Sequence, residues 1–272
     1  MQVDMDRIAG YMREVANARI RPRFESLEAH EISTKSGPSD LVTIADIEAE
    51  KDLTRILKDA LPGSHVIGEE AVSEGTAHIS ALREEQDFVW VVDPVDGTNN
   101  FAAGKPVFGT IVALVYRGQT VAGWIYDIPG DRMGVAECGA GAAIGGAPCA
   151  PDRKPGAPLA EIKGFVSTKF VSKDLRAKVE EKLALFKQTG ALFCCAHEYL
   201  ALAGGKRQFS FYSRIKPWDH LAGVLLFGEA GGYSRKWDKS PYLPGDEEGG
   251  LINAANEGLW TEIEQIFLDI RR

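Results

Sequence analysis

The segment WVVDPVDGTNNF, residues 90–101, decides the reading of this chain. It continues the apolar, β-branched run FVWVV (88–92), which predicts a buried strand. That strand runs straight into Asp93, Pro94 turns the chain, and Asp96 follows just ahead of Gly97 and Thr98. Two carboxylates on so sharp a turn can converge on one point, with the Val95 carbonyl exposed between them. Carboxylates, a backbone carbonyl and water are the all-oxygen set that hard divalent cations such as Mg²⁺ take. Gly97 lets the backbone approach a ligand closely, and a helix starting at Thr98 would present its first-turn N–H groups to an anion. Alone, D-P-x-D-G is also the sequence of a tight turn whose Asp caps a helix. Three further acidic segments favour the metal.

The first is GEE (68–70), placed directly after the short predicted strand HVIG (65–68), so that Glu69 and Glu70 sit at a strand end. The second is Asp46, in SDLVTIADIEAE, at the start of a helix predicted from about Thr43 to Leu61 and ended by Pro62-Gly63. Its spacing fits a favourable charge near a helix N-terminus as well as a functional acid. The third is KPWDHLAGVLLFGEAGG (216–232), where Asp219 stands at the mouth of a helix apolar on nearly every side, as a cap or as a distant ligand. Two carboxylates 4 Å apart repel by about 4 kcal/mol at an effective dielectric near 20. Four or five in one pocket therefore demand cations, and a phosphate dianion could enter only after metal had reversed the sign of the field.

The rest of the chain is consistent with a soluble enzyme. Its 272 residues are 44% hydrophobic and 26% charged, which excludes wholesale disorder, collagen-like repeats and a coiled coil. A formal charge of −8 without a basic patch argues against nucleic acid and anionic lipid as partners. No apolar run is long enough to span a bilayer, and the charged start MQVDMDRIAGYMREV does not read as a signal peptide. The four cysteines show neither framework spacing nor a C-x-x-C pair, so a cytoplasmic setting is expected, with Cys194 and Cys195 in a buried strand LFCCA (192–196). P-loop, G-x-S-x-G, H-E-x-x-H and G-x-G-x-x-G motifs are absent. A helix is expected over residues 6–28 and a strand meander over 107–138. Strands at 161–167, 209–212 and 251–255 then alternate with helices near 173–188, 197–204, 218–230 and from 258, in the α/β manner. The Gly/Ala/Pro-rich stretch 139–158 places a boundary near residue 155, between an N-terminal lobe (1–155) carrying most of the acids and a C-terminal lobe (156–272) carrying Asp219.

With these residues assembled, the sequence resembles the inositol monophosphatase family of Mg²⁺-dependent, lithium-sensitive phosphatases. The similarity rests on KSGPSDLVTIAD, GEE, WVVDPVDGTNNF and WDHLAGVLLFGEAGG, in the family's order and spacing. The resemblance implies a layered αβαβα fold, usually dimeric, and two or three Mg²⁺ ions, with inhibition by Li⁺ and non-productive occupancy by Ca²⁺. Glu69, Asp93 and the Val95 carbonyl would hold a first ion; Asp93, Asp96 and Asp219 a second; a weaker third would bind near Glu69. Asp46 and Thr98 would orient and deprotonate the attacking water, and the Gly97 and Thr98 backbone would receive the phosphate. Lys35 matches a basic residue of the loop near the site, and Glu70 an acid behind the ligands. Asp96, Ala196 and Tyr212 would face the substrate. Family members acting on inositol phosphate commonly carry a Glu before the WD pair, where FSFYSRIKPWD places Tyr212 or Ser213. FAAGKPVFGT resembles the histidinol-phosphate phosphatase branch, whereas NNF after DGT is closer to the inositol branch. A small phosphorylated polyol such as myo-inositol 1-phosphate therefore stands first as substrate, histidinol phosphate second and adenosine 3′,5′-bisphosphate third. A regulatory, RNA-polymerase-associated member of the family is the non-enzymatic alternative.

Overall fold

The computed structural model describes residues 3–35, 37, 40–83, 88–169, 171 and 173–267. Three residues of the predicted loop STKSGPSD (36, 38 and 39) and the terminal Arg271-Arg272 pair lie outside them. The chain begins with α1 (Met5–Val15), a hairpin of β1 (Ile32–Thr34) and β2 (Leu41–Thr43), and α2 (Ile44–Ala60). There follow β3 (His65–Gly68), α3 (Glu69–Ser73), β4 (Val89–Asp96), α4 (Thr98–Ala102), β5 (Gly109–Tyr116), β6 (Gln119–Asp127), β7 (Arg132–Glu137), β8 (Gly141–Ile144) and β9 (Ala147–Pro148). The remainder comprises β10 (Gly164–Val166), α5 (Lys173–Leu183), α6 (Cys195–Ala203), β11 (Phe209–Tyr212), α7 (Pro217–Glu229), β12 (Tyr233–Lys236), β13 (Leu251–Ala254) and α8 (Glu257–Ile266).

Strands β3 to β9 form one sheet in sequence order, parallel only between β3 and β4. A second sheet has the order β10-β11-β13-β12, parallel only between β10 and β11. Helices α1 and α2 cover one face of the larger sheet, α6 and α7 fill the space between the sheets, and α5 and α8 cover the outer face of the smaller one. This is the layered αβαβα arrangement.

The middle layer depends on small residues. A Cβ on Gly123 of β6 would stand 2.9 Å from Ala222 Cα of α7, and one on Gly223 would enter the ring of Tyr199 on α6 at 2.2 Å. Glycine and alanine thus let a helix lie directly on the sheet, and the buried Leu226 and Phe227 then fill the space around the contact. On the opposite face, Leu53 and Leu57 of α2 are fully buried, each contributing about 1.5–3 kcal/mol. They pack in one cluster with Trp90 and Trp124, whose rings lie 5.8 Å apart.

Several elements depart from expectation. The first helix is regular only to Val15; a π turn (Ala16–Ile20) and a 3₁₀ turn (Arg21–Arg23) continue it to Arg23, and Pro22 within that last turn lacks an N–H. Residues 192–194 are loop, and Cys195 already opens α6, so LFCCA is not a strand. Strand β12 and the β1–β2 hairpin were not anticipated, and the 139–158 stretch holds β8 and β9 before its connecting segment. We propose the boundary near residue 155 as one between sheets: one apolar cluster draws on strands of both, through α6 and α7. Among the described residues no helix is long and apolar enough to cross a membrane.

Candidate active site

All the acids singled out in the sequence except Asp93 sit at or near the end of an element, and Asp93 lies inside β4 where its pairing shifts. Strand β4 pairs with β5 in register down to Asp93, and the pairing resumes shifted at Asp96. Such a bulge bends the strand and re-aims its side chains; here Thr110 Oγ1 steadies it by donating to the Pro94 carbonyl at 2.7 Å. Gly97 then adopts φ 89°, where a Cβ would lie 2.9 Å from the Val107 carbonyl, and α4 starts at Thr98. Glu69 and Glu70 open α3, Asp46 lies in the first turn of α2, and Asp219 in that of α7.

The side chains of Glu69, Asp93 and Asp219 meet, each offering an oxygen within 4.8 Å of the other two. Asp93 Oδ1 is buried and has no hydrogen-bond partner among the described residues. Burial, then Glu69, Asp96 and Asp219, raises the Asp93 carboxyl well above the usual range; burial, then Glu69 and Asp96, does the same for Asp219. Asp96 stands slightly apart. Its Oδ2 accepts from the Ala196 N–H at 2.6 Å and the Cys194 thiol at 3.0 Å, while burial still raises its pKa. Together these residues line a cleft of about 420 Å³ with Val95, Gly97, Thr98, Tyr212 and Ser213. An orphaned carboxylate oxygen among converging acids is the donor set that a hard divalent cation completes, and it fits Mg²⁺. Cys195, Asp219 and His220 also approach within 4.8 Å of one another. His220, however, is engaged by Tyr199 at 3.0 Å and held by burial at a pKa of about 4, so this mixed set is the poorer match to that ion.

Asp46 forms a capping box with Thr43, whose N–H and Oγ1 donate to Asp46 Oδ2 at 2.9 and 2.5 Å. The other oxygen, Oδ1, lies 3.0 Å from Thr98 Oγ1, which is also 2.9 Å from the Val95 carbonyl. Burial raises the Asp46 pKa to about 6 despite the Thr43 hydrogen bonds. Lys35 Nζ bridges Glu69 and Glu70 at 2.8 and 2.7 Å. Burial opposes its charge, yet the two carboxylates outweigh burial and hold the ammonium above its ordinary range.

Two carboxylates escaped the sequence reading. Glu50 accepts the Glu70 and Ala71 N–H groups at 2.8 Å each and so caps α3; burial raises its pKa to about 7. Its signal was there: Asp46 and Glu50 fall on the stripe of α2 that also buries Ala49, Leu53 and Leu57. Glu198 accepts Tyr212 Oη and the Leu192 N–H at 2.7 Å each. Tyr212 therefore reaches the cleft already tied to an acid, and Ala196 meets Asp96.

These shifts set a pH trend for the metal-free protein. Asp46, Glu50 and Glu70 have folded pKa values near 6, 7 and 8, the last raised by burial and then Glu69. All lie above ordinary carboxylate values of about 4. Each group binds its proton more tightly when folded, so its contribution is complete below about pH 4 and is lost as pH rises towards 8. Asp127 runs the other way: burial works against its charge, yet His197, the Gly130 N–H and Arg132 hold it below the usual range, so its contribution is lost only in acid. In chelator, the melting temperature is expected to fall by about 5–10 °C between pH 5 and pH 8, with Mg²⁺ removing most of the decline. A flat or rising profile in chelator would contradict the buried-acid picture.

With this geometry in place, comparison with known proteins places the chain. Residues 4–268 match the inositol monophosphatase family. The chain belongs to that family. It is 28% identical over 272 residues to inositol-1-monophosphatase of Bacillus subtilis, covering 99% of this chain and 98% of that protein. It is 31% identical over 224 residues to Nus factor SuhB of Escherichia coli, covering 78% of each. In three dimensions it resembles staphylococcal inositol monophosphatase-1, solved as a LiCl-soaked inhibitory complex. The TM-score is 0.82 at 19% identity, over 96% of this chain and 93% of that one, which shows the shared fold.

Proposed function

We propose that this protein is a Mg²⁺-dependent phosphomonoesterase that hydrolyses a small phosphorylated metabolite by direct attack of water. The observation that carries this reading is the convergence of Glu69, Asp93 and Asp219 within 4.8 Å on a cleft that also holds Thr98. Glu69, Asp93 and the Val95 carbonyl would hold one Mg²⁺, Asp93, Asp96 and Asp219 a second, with a weaker third near Glu69. Bound there, Mg²⁺ supplies positive charge to the phosphoryl oxygens and to the departing alkoxide.

The protein's own groups do the rest. Gly97 and Thr98 offer backbone N–H groups to the phosphate at the start of α4. Thr98 Oγ1 orients the water and passes its proton to Asp46 Oδ1, whose pKa of about 6 keeps it ionised at neutral pH yet basic enough to accept. Thr43 fixes the carboxylate for that transfer, and Lys35 and Glu50 fix α3, which carries Glu69. Cys194 and Cys195 have thiol pKa values pushed well above the ordinary range, by burial first, which argues against a thiolate nucleophile and accords with direct attack of water.

Myo-inositol 1-phosphate is proposed first among substrates, a reading supported by the similarity to inositol-1-monophosphatase of Bacillus subtilis, ahead of histidinol phosphate and adenosine 3′,5′-bisphosphate. The similarity to a Nus factor supports a second reading, a regulatory protein acting through a partner. The intact acid cluster and a net charge of −8 favour the enzyme over an RNA-binding scaffold. A cytoplasmic homodimer inhibited by Li⁺ is proposed on the family resemblance, with four free thiols consistent with a reducing compartment. Phosphate release from those three esters, with Mg²⁺ and then with chelator or LiCl, tests the reading. Mg²⁺-dependent release from at least one is expected; no release from any, or release untouched by chelator, would sink it.

A further inference from the structure

Ala191, Phe193 and Cys194 contribute to the wall of the cleft. Phe193 is 55% exposed, the most exposed large hydrophobic side chain among the described residues. Its φ is 54°, a left-handed conformation that a residue with a Cβ adopts only under constraint. The constraint is visible on both sides of Leu192. Its N–H donates to Glu198 Oε1 at 2.7 Å, and its carbonyl accepts from Asn100 Nδ2 at 2.9 Å, the same amide reaching the Val107 carbonyl at 3.0 Å. Two buried side chains from different helices, 3% and 8% exposed, thus fix the two peptide units that flank Leu192, the second of which joins it to Phe193. An apolar side chain held at a ligand cleft against both solvation and backbone preference points to a role there.

The polar groups beside it are mostly committed. Glu198 uses Oε1 on Leu192 and Oε2 on Tyr212, whose hydroxyl hydrogen is thereby spent. Ser213 Oγ, buried and without a hydrogen-bond partner among the described residues, can meet one hydroxyl. A polyol carries several hydroxyls, each needing a partner once desolvated. A flat ring needs a face, and Phe193 supplies one.

From this geometry we propose that Phe193 is the platform for the leaving group, and that the preferred substrates are phosphomonoesters whose leaving group carries a planar aromatic ring. The inference rests on the phosphomonoesterase reading and specifies its leaving side, moving ring-bearing esters ahead of polyols.

Adenosine 2′-monophosphate and glycerol 2-phosphate both release a secondary alcohol and differ in the ring, so each variant is compared on the pair. Phe193→Ala is expected to lower kcat/KM for the nucleotide by about tenfold, the scale of a base–aromatic stack. Glycerol 2-phosphate should change by less than about twofold, and Phe193→Trp should restore the nucleotide. Calorimetric binding of the nucleotide with Ca²⁺, which needs no turnover, should weaken about tenfold in Phe193→Ala. Equal losses on both esters, binding indifferent to Phe193, or no nucleotide binding by the wild type would each overturn the platform. Phe193-dependent binding without hydrolysis of any ester would remove the phosphatase reading and leave the platform standing.

Discussion

Asp93→Asn is expected to give a protein that melts later in chelator than the wild type and no longer turns over substrate. Asp93 is 2% exposed, has one oxygen without a partner among the described residues, and faces Glu69 and Asp219. Replacing the carboxylate by an amide removes one member of a mutually repelling set. Each such repulsion is about 4 kcal/mol at 4 Å and an effective dielectric near 20. Part of it is already relieved by the raised pKa, so the net gain is smaller, an increase in melting temperature of about 3–8 °C at pH 8 without metal. The same substitution removes a ligand proposed to serve two ions, and kcat is expected to fall by at least about a thousandfold, the scale of the charge stabilisation supplied by such sites. Added Mg²⁺ should raise the melting temperature of the wild type and barely move that of the variant. Calorimetric scans with and without Mg²⁺, beside a phosphate-release assay, read both effects. A variant less stable than the wild type in chelator, or one that keeps normal turnover, would contradict the assignment.

Asp46→Asn separates proton transfer from metal binding. Its Oδ2 receives the Thr43 N–H and hydroxyl, and an amide oxygen can accept the same donors, so α2 should keep its cap. What the amide cannot do is take a proton from Thr98. Loss of a positioned general base costs roughly 10²–10⁴-fold in rate, and kcat is expected to fall within that range with little change in Mg²⁺ dependence. The pH profile gives the sharper readout. The wild type should show kcat/KM rising through a pKa close to 6, the value burial gives Asp46, and the variant should lose that limb. A variant retaining both its rate and its acid limb would move the base elsewhere.

Much of this site could be read from sequence because its acids lie next to punctuation. Pro94 and Gly97 bracket Asp96, Gly68 precedes Glu69, and Pro217 opens the helix bearing Asp219. The three-dimensional meeting of Glu69, Asp93 and Asp219 follows from the parallel pairing of β3 with β4 and from α7 lying across the sheet, which no local pattern encodes. Residues 192–194 show the converse. An apolar run ending in two cysteines looks like a strand by composition, yet its backbone is satisfied by Asn100 and Glu198, side chains remote from it or one turn onward. Strand β12 was missed because YSRK is polar at three of its four positions and is held in place by pairing with the fully buried β13. Glu50 was legible in principle, as an acid on an apolar helix stripe, but only a neighbouring element shows that it caps α3.

The helix layer shared by the two sheets has a consequence for biosynthesis. The larger sheet is complete at Pro148, but the helices that shield its inner face end only at Glu229. At about 5–20 residues per second, a ribosome leaves that apolar surface uncovered for roughly 4–16 s. Nascent chains stalled in this window would be the form most prone to aggregate, and without Asp219 they would lack the proposed metal site as well.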